Sequence, residues 1–315
     1  MRIIDTHCDV ISKLMLDPRL DFCSPDETKL DVTAPRMKRG NIALQTFAIY
    51  LPSDLGTPTF EMIANGIDLF KRHILQRAGL LFVAGKQGLA EADRTGRSAA
   101  MLSLEGADAL NGNPVLLRTI YELGVRSVGM TWNYANWAAD GAMEPRKAGL
   151  TQKGRQFVQD CERIGMLIDV SHLSERAFWD VCELAERPFL ASHSNASSVC
   201  PHPRNLTDEQ IAAIVARQGC LGLTFVPWFI DGSPARPVRI DALLRHIERC
   251  CELGAERHIG FGSDFDGISE WVEGLEHAGK YGELVERLLR HYSEDQVDAF
   301  LYRNWYRFYE NNLPD

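Results

Sequence analysis

No stretch of this 315-residue sequence approaches about 18 uninterrupted apolar residues, so no membrane-spanning helix is expected. The opening residues, Met1-Arg2-Ile3-Ile4-Asp5, contain no apolar run followed by a small-residue cleavage site, and a secretory signal is not expected. The polar end, Asn311-Asn312-Leu313-Pro314-Asp315, lacks the apolar tail of a lipid anchor. The expected location is cytoplasmic. Lysine and arginine form no cluster and the formal net charge is −9, which disfavours nucleic acid as a partner. None of the eight cysteines has the C-x2-C spacing of a zinc knuckle. Cys161, Cys182, Cys220 and Cys250 stand in apolar settings as small core residues, and Cys8 is expected to be a packed neighbour. Low-complexity segments and internal repeats are also missing.

What the chain does have is apolar residues, 45% of the total, enough for a large core in one domain over residues 1–315. Short apolar runs alternate with stretches of helical period. The runs are Ile3–His7, Ala43–Tyr50, Ala99–Glu105, Ser127–Trp132, Leu167–His172, Phe189–His193, Cys220–Val226 and His258–Asp264. Helical stretches include Phe60–Ala78, Pro114–Leu123, Gln152–Ile164, Ser174–Ala185, Thr207–Arg217 and Ile240–Leu253. Thr151 and Ser174 are suitable caps, and Asp208 and Glu209 suit the positive end of a helix. Runs without polar alternation indicate strands buried on both faces, as in a parallel sheet. Eight such units predict an α/β fold of the (β/α)8 TIM-barrel type. A dinucleotide-binding fold lacks its fingerprint: Gly260-Phe261-Gly262 is followed by Phe265 where a third glycine is needed.

Barrels of this type carry their chemistry where strands end. Here those ends supply His7 and Asp9, Glu105, His172, His193 and Asp264. A lone histidine after a strand more often satisfies a loop carbonyl, and a lone glutamate often pairs with lysine. Asp266 before Gly267 has the look of a turn. Three histidines and three carboxylates at equivalent positions are harder to explain that way. Imidazole and carboxylate donors suit zinc with an open position for water. Six are too many for one such ion, and they fit two ions sharing a carboxylate. Glu105 is the natural bridge, because a carboxylate has two oxygens to offer. A water activated between the ions would attack a carbonyl, and Asp264 is the candidate for relaying its proton.

The ordered segments His7-x-Asp9, Ser103-Leu104-Glu105-Gly106, Asp169-Val170-Ser171-His172, Ser192-His193-Ser194, Arg204-Asn205 and Gly262-Ser263-Asp264-Phe265-Asp266-Gly267 resemble those of the renal (membrane) dipeptidase family, in its soluble bacterial form. The similarity runs from Ile3 to about Tyr306. It implies that His7 and Asp9 hold one zinc, that His172 and His193 hold the other, and that Glu105 joins them. Asp264 would handle the proton, and Arg204 would grip the terminal carboxylate of a short peptide, possession of a D-residue at that end being compatible. A homodimer is also implied. The chain departs from the family at Met130-Thr131-Trp132-Asn133, where many members have a histidine and this sequence has Trp132. Trp132 or Asn133 is then expected to donate a neutral hydrogen bond to the substrate, or the pocket differs in shape. Tyr134, Asn136 and Trp137 are expected to line that pocket. Competing readings are a related amidohydrolase acting on another amide or a lactone, and a non-catalytic barrel.

Overall fold

The computed structural model describes residues 1–233 and 237–315. Its strands all run parallel: β1 (Ile3–Asp5), β2 (Ile42–Tyr50), β3 (Leu81–Phe82), β4 (Ala99–Glu105), β5 (Val125–Gly129), β6 (Leu167–Asp169), β7 (Leu190–Ala191), β8 (Cys220–Leu223) and β9 (Ile259–Phe261). Eight close into the expected barrel, because β2 pairs with β1 on one side and with β4 on the other, from Leu44 opposite Ala99 to Tyr50 opposite Glu105. The ninth, β3, lies outside the ring against the first two residues of β4, below the point where β5 joins at Leu102. Burial of β4 is unbroken from Ala99 to Leu104, as a strand covered on both faces requires.

The helices follow local signals. Thr151 accepts a hydrogen bond from Gly154 N–H to start Gln152–Ile164, and Gly165 ends it at φ 83°. Ser174 caps Glu175–Leu184, and Thr207 with Gln210 forms a capping box before Asp208–Ala216. The helix expected over Phe60–Ala78 forms, with a π-helical segment at Phe70–Gln76. Others escape the apolar-run reading because they are short or carry few apolar positions, among them Val10–Leu16, Lys86–Thr95 and Asn304–Asn312. The last of these closes the base of the barrel. Its Trp305, Phe308 and Tyr309 pack against Ile4, Leu44, Ala99, Leu167, Leu190 and Cys220, near the starts of the strands. A side chain at Gly260 would come within 2.3 Å of the Trp305 ring, so this close approach requires glycine. At the opposite end, where strands finish, a cavity opens. Among the described residues no helix is long and apolar enough to cross a membrane.

His246 ties a site loop to this frame. It is fully buried, accepts from Ala196 N–H (3.1 Å) through Nδ1, and its Nε2 lies 3.0 Å from the Ile230 carbonyl. That pairing is made by a neutral ring with Nε2 protonated. Burial pushes its pKa down to about 4, opposed by the Ile230 carbonyl. A histidine whose folded pKa is depressed stabilises the fold above its unfolded value near 6.5, and the contribution is lost as pH falls towards 4. The expected size is on the order of 3 kcal/mol. In metal-stripped protein, urea unfolding of the wild type should therefore weaken between pH 7 and pH 4 by about that much more than in His246→Gln. Parallel curves would remove His246 as the cause.

Candidate metal centre

Pairing stops sooner than the apolar runs do: at Asp5 rather than His7, at Gly129 rather than Trp132, at Asp169 rather than His172, and at Phe261 rather than Asp264. His172 and Asp264 have φ of 68° and 66°, a left-handed backbone that leaves the ladder and turns their side chains. Two buried carboxylates take up the freed N–H groups in the same way. Asp5 Oδ1 accepts from His7 N–H two residues on (3.3 Å) and from Ser263 N–H beyond neighbouring β9 (2.9 Å), while its Oδ2 accepts from Ser263 Oγ (2.7 Å). Asp169 Oδ1 accepts from Ser171 N–H two residues on (3.0 Å) and from Ser192 N–H beyond neighbouring β7 (3.0 Å). Each clamp fixes two site-bearing segments at once. Asp5 belongs to the Ile4-Asp5-Thr6-His7 run and Asp169 to Ile168-Asp169-Val170-Ser171-His172, so an Asp shortly before each histidine was the available signal.

The clamped segments bring the five expected donors together. His7 Nε2 lies 3.2 Å from Glu105 Oε2, 3.3 Å from Asp9 Oδ2 and 3.8 Å from Asp264 Oδ1. The other Glu105 oxygen, Oε1, lies 2.8 Å from His172 Nε2, which is 2.7 Å from His193 Nε2. Glu105 thus turns one oxygen to each pair. His172 Nδ1 is 2.9 Å from Asn133 Oδ1, and an amide oxygen can only accept, so the proton sits on Nδ1 and Nε2 is bare. The contact between His172 Nε2 and Glu105 Oε1 then sets acceptor against acceptor. His7 Nε2 and Asp9 Oδ1 are buried with no hydrogen-bond partner. Unsatisfied buried acceptors aimed at one another call for cations, and this nitrogen and oxygen donor set fits divalent metal.

Electrostatics agree. Burial alone would lower the pKa of His7, but Glu105 and Asp9 outweigh it and hold it well above the ordinary value. Burial would raise Glu105, yet His7 and His172 hold it well below. Burial brings His172 down to about 4, with Arg204 adding to the effect, and His193 is pushed well below the ordinary imidazole value. The pocket keeps two imidazoles neutral and favours positive charge beside Glu105.

Asp264 comes in from the other side. Burial lifts its pKa to about 7, with His7 opposing and Asp9 and Glu105 reinforcing. Its Oδ1 and Asp9 Oδ2 converge on Gly267, where a side-chain carbon would come within 2.6 and 2.3 Å of them. Glycine is required there for space. Asp266 does more than turn the chain: at φ 70° its carboxylate accepts from Asp31 N–H (2.7 Å) and Val32 N–H (2.9 Å) and pairs with Lys13 (3.0 Å). Cys8 is a packed, buried neighbour, and all eight cysteines are free.

Arg204 is 3% exposed, and among the described residues no carboxylate stands within ion-pair distance of it. Its guanidinium donates to the His193 carbonyl (3.3 Å) and lies 5.5 Å from the Phe229 ring centre. Burial lowers its pKa to about 10, opposed by Asp264 and Glu105, so it remains charged at neutral pH. His202 supports it locally, accepting from Arg204 N–H (3.2 Å) and stacking on Phe229. A cavity of about 350 Å3 opens over the donors and is lined by Arg204, Asp264, Glu105, Trp132 and Asn133 among others. Tyr134, Asn136 and Trp137 do not line it, contrary to expectation. Asn136 donates to Asp108 (3.1 Å) and the Met130 carbonyl (2.8 Å), Trp137 donates to the Ala107 carbonyl (2.8 Å) and packs on Phe157, and Tyr134 faces outward, 58% exposed. Asn136 also accepts from Ala138 N–H (2.8 Å), so it holds the loop's own backbone, while Trp137 ties the loop to the segment after β4.

Residues 1–312 match the family model described as membrane dipeptidase, peptidase family M19. An uncharacterized protein in the pqqA 5' region of Klebsiella pneumoniae is 34% identical over 260 residues, which is 80% of this chain and 96% of that protein. The dipeptidase aclJ of Aspergillus oryzae is 31% identical over 286 residues, 86% of this chain and 67% of that protein. Among solved structures, a metallo peptidase from Rhodobacter sphaeroides, liganded with a phosphinate mimic of the dipeptide L-Ala-D-Ala, is 26% identical with a TM-score of 0.90, each chain covered to 99%. Fold, facing donors and whole-chain similarity lead to one assignment: the chain belongs to the membrane dipeptidase family of metallopeptidases, peptidase family M19.

Proposed function

We propose that this chain, as one (β/α)8 domain, is a two-zinc dipeptidase that hydrolyses the peptide bond of free dipeptides. His7 and Asp9 would hold one ion and His172 and His193 the other, with Glu105 shared between them. When bound, such a pair makes a water nucleophilic near neutral pH and polarises the scissile carbonyl. The chain's own residues supply the rest. Arg204 binds the terminal carboxylate and sets the peptide bond over the donors. Asp264 carries the proton from the nucleophile to the leaving amine. Asn133 orients His172 through Nδ1, and Trp132 forms part of the wall.

The observation that carries this reading is the buried guanidinium of Arg204, which has no carboxylate partner among the described residues, opening into the cavity that holds the facing donors. A buried charge of this kind is costly unless a partner arrives, and a planar fork matches a carboxylate. A guanidinium gripping the carboxylate does not read the hand of the α-carbon, so the proposed range includes dipeptides ending in a D-residue. The bound mimic of L-Ala-D-Ala in the Rhodobacter sphaeroides relative supports that extension.

The test is turnover by zinc-reconstituted protein of L-Ala-L-Ala, L-Ala-D-Ala and the carboxamide of each. Both free dipeptides should be cut and both carboxamides poorly. Arg204→Ala should raise KM for the free dipeptides by roughly 10–100-fold and abolish the discrimination. Equal KM values in wild type and variant would return Arg204 to a packing role.

A further inference from the structure

Three cavities lie side by side across the barrel mouth. The first, of about 160 Å3, is lined by Arg204 and His172 but not by Trp132. The second, of about 350 Å3, contains Arg204, His172, Glu105 and Asp264 together with Tyr50 and Trp132. The third, of about 530 Å3, shares Tyr50, Pro52, Glu105 and Trp132 with the second and lacks Arg204. Arg204 and the Tyr50–Trp132 pair therefore mark opposite ends of the space over the donors.

The aromatic end is built. Tyr50 closes β2 directly opposite Glu105, so the barrel ladder fixes it. The Trp132 ring rests on it with centroids 5.2 Å apart at 38°, and lies 6.3 Å from the His172 ring. Trp132 nevertheless keeps 38% of its surface exposed, an apolar face held ready beside the reacting centre. Leu51, Pro52 and Pro58 continue that face into the third cavity.

The charges give the groove a direction. Arg204 is the charged group at one end, while burial keeps the Tyr50 phenol uncharged at the other. A dipeptide has an ammonium at one end and a carboxylate at the other, so its amino-terminal residue is turned towards Tyr50 and Trp132.

We infer that Tyr50 and Trp132 form an apolar wall that receives the side chain of the substrate's amino-terminal residue, and that the chain prefers dipeptides beginning with an aromatic or large aliphatic residue. The inference rests on the dipeptidase reading above. It makes Trp132, where many family members have histidine, a determinant of specificity.

Two readouts separate the inference from that reading: kcat/KM of zinc-loaded protein for L-Phe-L-Ala against L-Ala-L-Ala, and calorimetric binding of the same dipeptides to metal-stripped protein. Wild type should favour L-Phe-L-Ala by about tenfold or more in both. Trp132→Ala should lower that ratio about tenfold, and Trp132→Phe should keep most of the preference. Turnover of both dipeptides without preference, or a ratio untouched by Trp132→Ala, overturns the inference and leaves the dipeptidase reading standing. Preferential binding that depends on Trp132, with no turnover of either dipeptide, supports the wall and overturns the hydrolytic reading. Neither binding preference nor turnover overturns both.

Discussion

Asp264→Asn is expected to lower kcat by about 10²–10⁴-fold while leaving metal content unchanged. The substitution isolates proton transfer because almost nothing else alters. Asparagine has the same shape and tolerates the left-handed backbone found here, at φ 66°. Both backbone bonds of this residue persist, its N–H to the His7 carbonyl (3.2 Å) and its carbonyl from Gly267 N–H (3.1 Å). The amide fits the same space over Gly267, where the carboxylate now sits. What it cannot do is accept a proton and give it up. Asp264 can, being a carboxylate, and in the metal-free pocket burial lifts its pKa to about 7 with Asp9 and Glu105 adding to the effect. KM for a free dipeptide should move little, because Arg204 supplies the carboxylate grip. Elemental analysis beside steady-state kinetics decides the matter. If the variant keeps kcat within about tenfold, Asp264 is no proton carrier. If it loses a metal equivalent, Asp264 is a ligand instead, which its place beside His7 and Asp9 would accommodate.

The parts of this site legible in the sequence share one property: they are local. Eight strands could be read because a parallel strand buried on both faces leaves an unbroken apolar run. The five proposed donors and Asp264 could be picked out because each lies within a few residues of such a run's end. What stayed hidden depends on partners far along the chain. Asp5 and Ser263 are 258 residues apart, and Asp266 meets Asp31 across 235 residues. The turn signal of Asp-Gly at 266–267 is real, but nothing nearby announces that the carboxylate will hold a distant loop. Asn133 could be placed at the site from its position, whereas its pairing with His172 needed the fold. Tyr50 carried no signal of its own. It gains meaning only because closure of the barrel sets β2 against β4 and brings it beside Glu105.

His193→Ala should cost one metal equivalent per chain and nearly all turnover, a loss of at least about 10³-fold. His193 is 1% exposed, and three of its groups are committed. Its Nε2 faces His172 Nε2 at 2.7 Å, its Nδ1 lies 2.7 Å from Ser192 Oγ, and its carbonyl accepts from Arg204. Alanine keeps the carbonyl, so the Arg204 contact should survive and dipeptide binding should weaken less than turnover. The lost nitrogen cannot be replaced from nearby: among the described residues the next donors, His172 and Glu105, are already assigned. The variant should also separate folding from metal holding. Metal that binds only the folded chain raises its melting temperature, so zinc should stabilise wild type more than the variant, while the two metal-stripped proteins melt close together. A variant that still holds two equivalents and turns over normally would remove His193 from the donor set. One that melts far lower even when stripped of metal would show that the imidazole is needed chiefly for packing.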